Sequence, residues 1–163
     1  MDNRPIGVFD SGIGGLTVVD ALAKSLPNET IYYVGDTARV PYGNKSKSRI
    51  QQYSEEITTW LNKKDCKIII VACNTASALA LKYLSSIFSI PIIGVIESGV
   101  NRGISMSKNN RIAVLGTSAT IRSNEYEKRI KGAKPGTLVV VKHVHYLSPW
   151  LKKGGLKEKS LCK

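Results

Sequence analysis

Ile6-Gly7-Val8-Phe9-Asp10-Ser11-Gly12-Ile13-Gly14-Gly15 is the stretch on which the reading of the chain turns. An apolar run passes without a break into a polar, glycine-rich turn. The spacing from Leu16 to Leu26 then predicts a helix. Glycines at the turn permit a tight bend and close backbone approach. The helix N-terminus behind them offers unpaired N–H groups to an anion.

The same unit recurs. Apolar, mostly β-branched runs at Ile31-Tyr32-Tyr33-Val34, Ile68-Ile69-Ile70-Val71 and Ile92-Ile93-Gly94-Val95 predict three more strands. They are continuous rather than alternating, as expected of parallel strands covered on both faces. Helical spacing lies between them. Ser46 to Leu61 presents Ile50, Tyr53, Ile57 and Trp60/Leu61 on one face, and Thr75 to Phe88 is rich in Ala and Leu. The alternation argues for an α/β fold with a doubly wound parallel sheet. A polar stretch, Ser105-Met106-Ser107-Lys108-Asn109-Asn110, marks a boundary region around 98–110. The pattern then restarts with strand Ile112-Ala113-Val114-Leu115, a helix from about Ser118 to Ile130 and strand Leu138-Val139-Val140-Val141. The division expected is a first α/β domain over 1–98, the start of a second over 99–142, and a separate tail over 143–163.

Length and charge constrain what this fold serves. The chain has 163 residues and a formal net charge of +12. No apolar run approaches the ~20 residues that a membrane span needs, and no signal-peptide core precedes the first strand. Three cysteines in unrelated contexts argue for a reducing, cytoplasmic setting and against a disulfide framework. A basic chain raises the question of nucleic acid, but the charge is uneven. Residues 1–100 carry a net +1, residues 101–142 a net +7 and residues 143–163 a net +4. The organised first part has no basic-aromatic constellation, so neither nucleic acid nor membrane is expected as a partner. No dinucleotide fingerprint, Walker loop or Cys/His metal spacing is present.

Ligands of open α/β sheets bind beyond the C-terminal strand ends. Strand one ends in Asp10-Ser11, strand two in Gly35-Asp36 followed by Pro41-Tyr42-Gly43, strand three in Cys73-Asn74-Thr75, and strand five in Gly116-Thr117 with Thr120 one turn later. Each has a plain alternative. Asp10 and Ser11 suit a helix cap, as do Asn74 and Thr75. Cys73 suits a small buried apolar site, and Tyr42 a turn aromatic. Against these, three strands deliver polar groups to one rim. A cysteine there, beside a helix N-terminus, is expected to have a lowered pKa and act as a thiolate base or nucleophile. Cys66 precedes its strand, at the opposite sheet end, and reads as structural.

Taken together and in order, Val8 to Gly15, Gly35-Asp36 through Pro41-Tyr42-Gly43, Ala72-Cys73-Asn74-Thr75-Ala76-Ser77 and Gly116-Thr117 through Thr120-Ile121 resemble the aspartate/glutamate racemase family. The longer elements favour its glutamate-specific members over aspartate or hydantoin racemases. A non-enzymatic basic binding module is the reading from a different class. The resemblance implies a cofactor-independent amino-acid racemase, an isomerase supplying D-glutamate for peptidoglycan and hence cell-wall biogenesis and cell shape, usually as a homodimer. It implies Cys73 as one of two catalytic cysteines and Asp10 as the carboxylate that assists it. Asp10, Ser11, Tyr42, Gly43, Asn74 and Thr75 are the implied substrate positions, with Thr117 and Thr120 as carboxylate ligands from the second domain. Two bases are what the chemistry asks for. Without an electron sink, inversion needs one group to remove the Cα proton and another to return it on the opposite face.

The same resemblance implies a second cysteine, in a Cys-Thr-His-Tyr-Pro element that this chain does not reach. Cys162 matches nothing in it, and His143 and His145 read as incidental. From His143 onward the sequence departs from the family's A-C-P-L-F-V-P-L-V-E-E-G-W segment. With synonymous codons chosen freely and one base removed, that segment translates as His143 through Gly154. The tail 143–163 is therefore expected to be frameshifted, with Leu147, Trp150 and Leu151 exposed or loosely docked and the chain alone inactive; a divergent loop is the plain alternative.

Overall fold

The computed structural model describes residues 2–144. Four parallel strands, β1 (Ile6–Asp10), β2 (Ile31–Gly35), β3 (Ile68–Val71) and β4 (Ile92–Gly94), form a sheet in the order β2-β1-β3-β4. Ile6 stands opposite both Ile31 and Ile68, so the three strands run in step and end together. The chain leaves β1 in one direction and returns past it in the other. A crevice is thereby opened between the C-terminal ends of β1 and β3, the place where such sheets bind ligands.

Alternating side chains explain the two covered faces. Ile6, Val8 and Ile70 point to one side and meet Val18, Val19 and Leu22 of helix α1 (Leu16–Ser25). Phe9, Ile69 and Val71 point to the other. They meet Ile50, Ile57 and Leu61 of α2 (Lys47–Lys63), then Ala76, Ala80 and Leu84 of α3 (Asn74–Leu79) and α4 (Leu81–Ile87). Helices on both faces make the sheet doubly wound, as expected. Cys66 is buried beneath this layer, with its sulfur beside Gly7.

Several expectations are corrected in detail. Strand four stops at Gly94, and Val95–Met106 is a helix, α5, across the expected boundary region. Its apolar residues Ile96 and Val100 are buried with Val114 and Ile130 of the following unit. The helix expected over 75–88 divides at Ala80, where neither Gly nor Pro gives warning. The one expected over 118–130 divides into α6 (Ser118–Arg122) and α7 (Glu125–Ala133) at Asn124, whose φ of 58° is left-handed. Asn tolerates that conformation because its short amide bonds locally. Trp60 is not on the buried face of α2. It is exposed, with the Lys64 ammonium over its ring, while Leu61 takes the core position.

Strands β5 (Arg111–Gly116) and β6 (Leu138–His143) form a separate parallel pair. Val114 and Ile130 are buried with Ile96 and Val100 of α5, flanked by Ile112, Tyr126 and Val139. Ala78 of α3 also touches this cluster, so α5 ties the second unit to the first. The opposite face of the pair leaves Leu115, Leu138 and Val140 exposed. The readings of Leu147, Trp150, Leu151, His145 and Cys162 lie outside the described residues.

Phe9 has no solvent exposure, whereas Trp60 is nearly half exposed. In urea denaturation, Phe9→Ala is expected to cost about 3 to 5 kcal/mol. Trp60→Ala should stay within about 0.5 kcal/mol. Equal losses would mean that Trp60 and not Leu61 faces the core.

Candidate active site

The turn after β1 is organised by one carboxylate. Asp10 is buried, and its Oδ2 accepts the backbone N–H groups of Gly12 (3.1 Å) and Gly15 (3.2 Å). These bonds close the loop ahead of α1 rather than cap the helix, whose N-cap residue Gly15 has no side-chain cap. Gly15 makes this closure possible, since a Cβ there would lie 2.7 Å from the Asp10 Cβ. The loop is held from the side as well. The Tyr33 hydroxyl donates to the Gly12 carbonyl at 2.6 Å. Burial, then the nearby Asp10 and Cys73, push the Tyr33 phenol up to about 12, so it remains a donor. Nothing in the sequence singles out Tyr33, because an aromatic residue in a strand needs no special explanation.

Cys73 follows β3 and faces this loop. It is the N-cap of α3: its Sγ accepts the Ala76 N–H at 3.5 Å, while the thiol donates to Ser11 Oγ at 3.5 Å. The expectation of a lowered pKa is corrected. Burial pushes the thiol up first and the Asp10 carboxylate adds to it; the hydrogen bonds from Ser11 and Ala76 oppose them without prevailing. A short helix N-terminus does not outweigh the removal of water and a neighbouring negative charge.

Tyr42 lies in a 3-10 turn, Tyr42–Asn44, after a cis Val40–Pro41 bond. Its side chain is buried, and its hydroxyl donates to Asp36 Oδ2 at 2.5 Å. Arg39 Nε meets the same carboxylate oxygen at 2.7 Å, and the Arg39 guanidinium stacks over Tyr53. With its hydroxyl engaged there, the Tyr42 side chain anchors the turn and thereby places Gly43. Gly43 in turn meets Thr117 so closely that a Cβ would come within 2.5 Å of the threonine Cβ.

The second unit closes on the first through hydroxyls. Thr75 Oγ1 lies 3.0 Å from Thr117 Oγ1 and 3.1 Å from Thr120 Oγ1, and these two are 2.9 Å apart. Thr117 also caps α6 by accepting the Thr120 N–H. Asn74 is exposed, and its Oδ1 accepts from the Tyr126 hydroxyl at 2.6 Å. That bond leaves the amide N–H donors for another partner. Tyr126 is a second residue that sequence reasoning misses, hidden in an ordinary amphipathic helix. The structure thus brings Asp10, Ser11 and Cys73 together directly. It joins Gly43, Thr75, Thr117 and Thr120 in one layer beside them and turns the Tyr42 hydroxyl away. Among the described residues, no three His, Cys, Asp or Glu side chains gather as a metal-ligand set.

A buried thiol at a sheet switch point, with a glycine loop and a row of hydroxyls, suits proton transfer on a small polar molecule. The chain as a whole is similar to known proteins. A glutamate racemase of Geobacter metallireducens is 47% identical over 151 residues, covering 93% of this chain and 56% of that protein. One from Staphylococcus aureus is 45% identical over 157 residues, covering 90% and 59%. Among solved structures, glutamate racemase from Francisella tularensis in complex with D-glutamate matches with a TM-score of 0.85 at 43% identity, covering 94% of this chain and 58% of that one. Glutamate racemase from Aquifex pyrophilus matches with a TM-score of 0.84 at 44% identity, covering 90% and 57%. The chain spans a little over half the length of these relatives. The family model for Asp/Glu/hydantoin racemases matches residues 6–153, and the chain belongs to that family.

Proposed function

We propose that this chain carries one half of a glutamate racemase site, with Cys73 as the acid/base on one face of the substrate Cα. The observation that carries the reading is the Cys73 sulfur, buried between Ser11 Oγ and the α3 N-terminus beside Asp10. A raised pKa fits the task. The Cα proton of an amino acid is very weakly acidic, and a desolvated thiolate is a stronger base than a solvated one. The ammonium group of a bound amino acid, brought near Asp10, offsets the negative charge that opposes ionisation of Cys73. The exposed amide of Asn74 and the hydroxyls of Ser11, Thr75, Thr117 and Thr120 supply neutral hydrogen bonds for the substrate's carboxylates. The D-glutamate complex of the Francisella relative supports this substrate class. The role in peptidoglycan supply and a cytoplasmic, homodimeric setting go with it.

Among the described residues Cys66 is the only other thiol, and it lies at the far end of β3. The described residues thus supply a thiol base for one face of the substrate. The 163-residue polypeptide is expected to give negligible net L/D-glutamate interconversion by circular dichroism. It should still exchange the Cα proton of one enantiomer with deuterium from solvent, and Cys73→Ser should abolish that exchange. Exchange that survives Cys73→Ser in a folded chain would overturn the assignment.

The charge environment makes a second expectation. Alkylation of Cys73 by iodoacetamide should be slow at pH 7 and rise only on the alkaline side of an ordinary cysteine, about 8.5. Asp10→Asn removes the negative charge that helps to hold the thiol protonated, so the profile should move to lower pH. A wild-type midpoint below that of free cysteine would contradict the account of burial and charge.

A further inference from the structure

Cys73, Asn74 and Thr75 follow one another at the start of α3, and each meets a different part of the molecule. Cys73 faces Ser11, and Thr75 meets Thr117 and Thr120. Asn74, between them, is held from the second unit, its Oδ1 accepting from the Tyr126 hydroxyl at 2.6 Å. A side-chain amide has an acceptor on one arm and two donors on the other. Engaging the oxygen fixes which arm is left for a ligand, and that arm donates. A flipped amide would offer its oxygen instead, and an oxygen repels a carboxylate.

The hydroxyl is placed by the core of the second unit. The Tyr126 ring packs against the cluster of Ile96, Val100, Val114 and Ile130. Helix α5 leaves its path open, since a Cβ at Gly99 would stand 3.3 Å from the Tyr126 oxygen. Arg129 Nη1, one turn along α7, lies 3.7 Å from Glu97 Oε2 and ties the same two helices together. Burial pushes the Tyr126 phenol up, so the hydroxyl keeps its proton and donates. Anchored at its ring and bonded at its tip, the side chain has two torsions, and both are set.

We propose that Tyr126 is a positioning residue for the substrate: it holds the Asn74 oxygen toward the second unit, so that the Asn74 amide presents its N–H donors to a carboxylate of glutamate. This role presupposes that the site takes glutamate. It divides two tasks within the first turn of α3. Cys73 works on the Cα proton, whereas the Tyr126–Asn74 pair acts on affinity. The hydroxyl comes from the second unit and the amide from the first. The donor is therefore set only while the two units stay in contact.

Side-chain amide signals in heteronuclear NMR of the isotopically labelled 163-residue chain test this, the Asn74 pair being identified by its loss in Asn74→Ser. Tyr126→Phe keeps the ring and removes the hydroxyl, with the fold checked by circular dichroism. The Asn74 pair should shift in that variant before any ligand is added, and an unmoved pair overturns the proposal. Titrated with D- or L-glutamate, Tyr126→Phe should bind about three- to tenfold more weakly, the range expected of one neutral hydrogen bond. Deuterium exchange at the Cα under saturating glutamate, which reads Cys73, should change by about twofold or less. In an Asn74→Ala background Tyr126→Phe should weaken binding no further, since residues that act through one another are not additive. Unchanged affinity, or an equal loss in both backgrounds, would overturn the proposal. Failure of the wild-type chain to bind glutamate, with the Asn74 pair still shifted by Tyr126→Phe, would overturn the glutamate reading while upholding the hold of Tyr126 on Asn74.

Discussion

The rest of the site depends on the double hydrogen bond from the Gly12 and Gly15 amides to the Asp10 carboxylate. It folds the loop after β1 back over the sheet end. Ser11 is thereby turned toward Cys73, and α1 starts close enough to pack Val18 and Val19 on the strands. The bond is charge-assisted, and such bonds are about twice as strong as neutral ones. It also keeps a negative charge beside the sulfur. One residue thus supplies both the architecture of the loop and the electrostatics of the thiol. Removing it disturbs the two together.

The cysteine and the aspartate sit at adjacent strand ends because β1 and β3 run in step. Register therefore brings two residues 63 positions apart near enough for the Asp10 charge to act on the Cys73 sulfur. The hydroxyl layer has a different origin. Thr75 belongs to the first unit, Thr117 and Thr120 to the second, and each satisfies the others. Three buried or half-buried hydroxyls without partners would be costly. Mutual bonding lets them wait inside the protein. Because hydroxyl protons rotate, the same groups can redirect toward an incoming carboxylate.

Much of this was legible in the residues. Continuous β-branched runs announced the buried parallel strands, and the polar groups at their ends announced the rim. What escaped was set by tertiary context. Helix α5 directly follows β4 without a polar turn, so Val95 reads as the end of a strand although Ile96, Val100 and Ile104 form a regular helical stripe in the second unit's core. Tyr33 and Tyr126 are ordinary aromatics until their hydroxyls are seen to hold Gly12 and Asn74. Tyr42 lay in a recognisable motif, but only packing reveals that its hydroxyl serves Asp36. The direction of the Cys73 shift cannot be read from the residues for a related reason. A helix N-terminus is visible in a sequence, whereas the depth of burial that opposes it is not.

The absent side chain at Gly43 acts as a gauge of distance. A methyl group there would stand 2.5 Å from the Thr117 Cβ, where carbon atoms ordinarily rest about 3.5 to 4 Å apart. Any other residue must drive the second unit outward by roughly an ångström or more, and the hydroxyl layer is tied to the same threonine. Width of the mouth is thus recorded by the lack of a single carbon atom. A substitution remote from the thiol, adding no charge and removing no bond, would alter which molecules fit between the two halves.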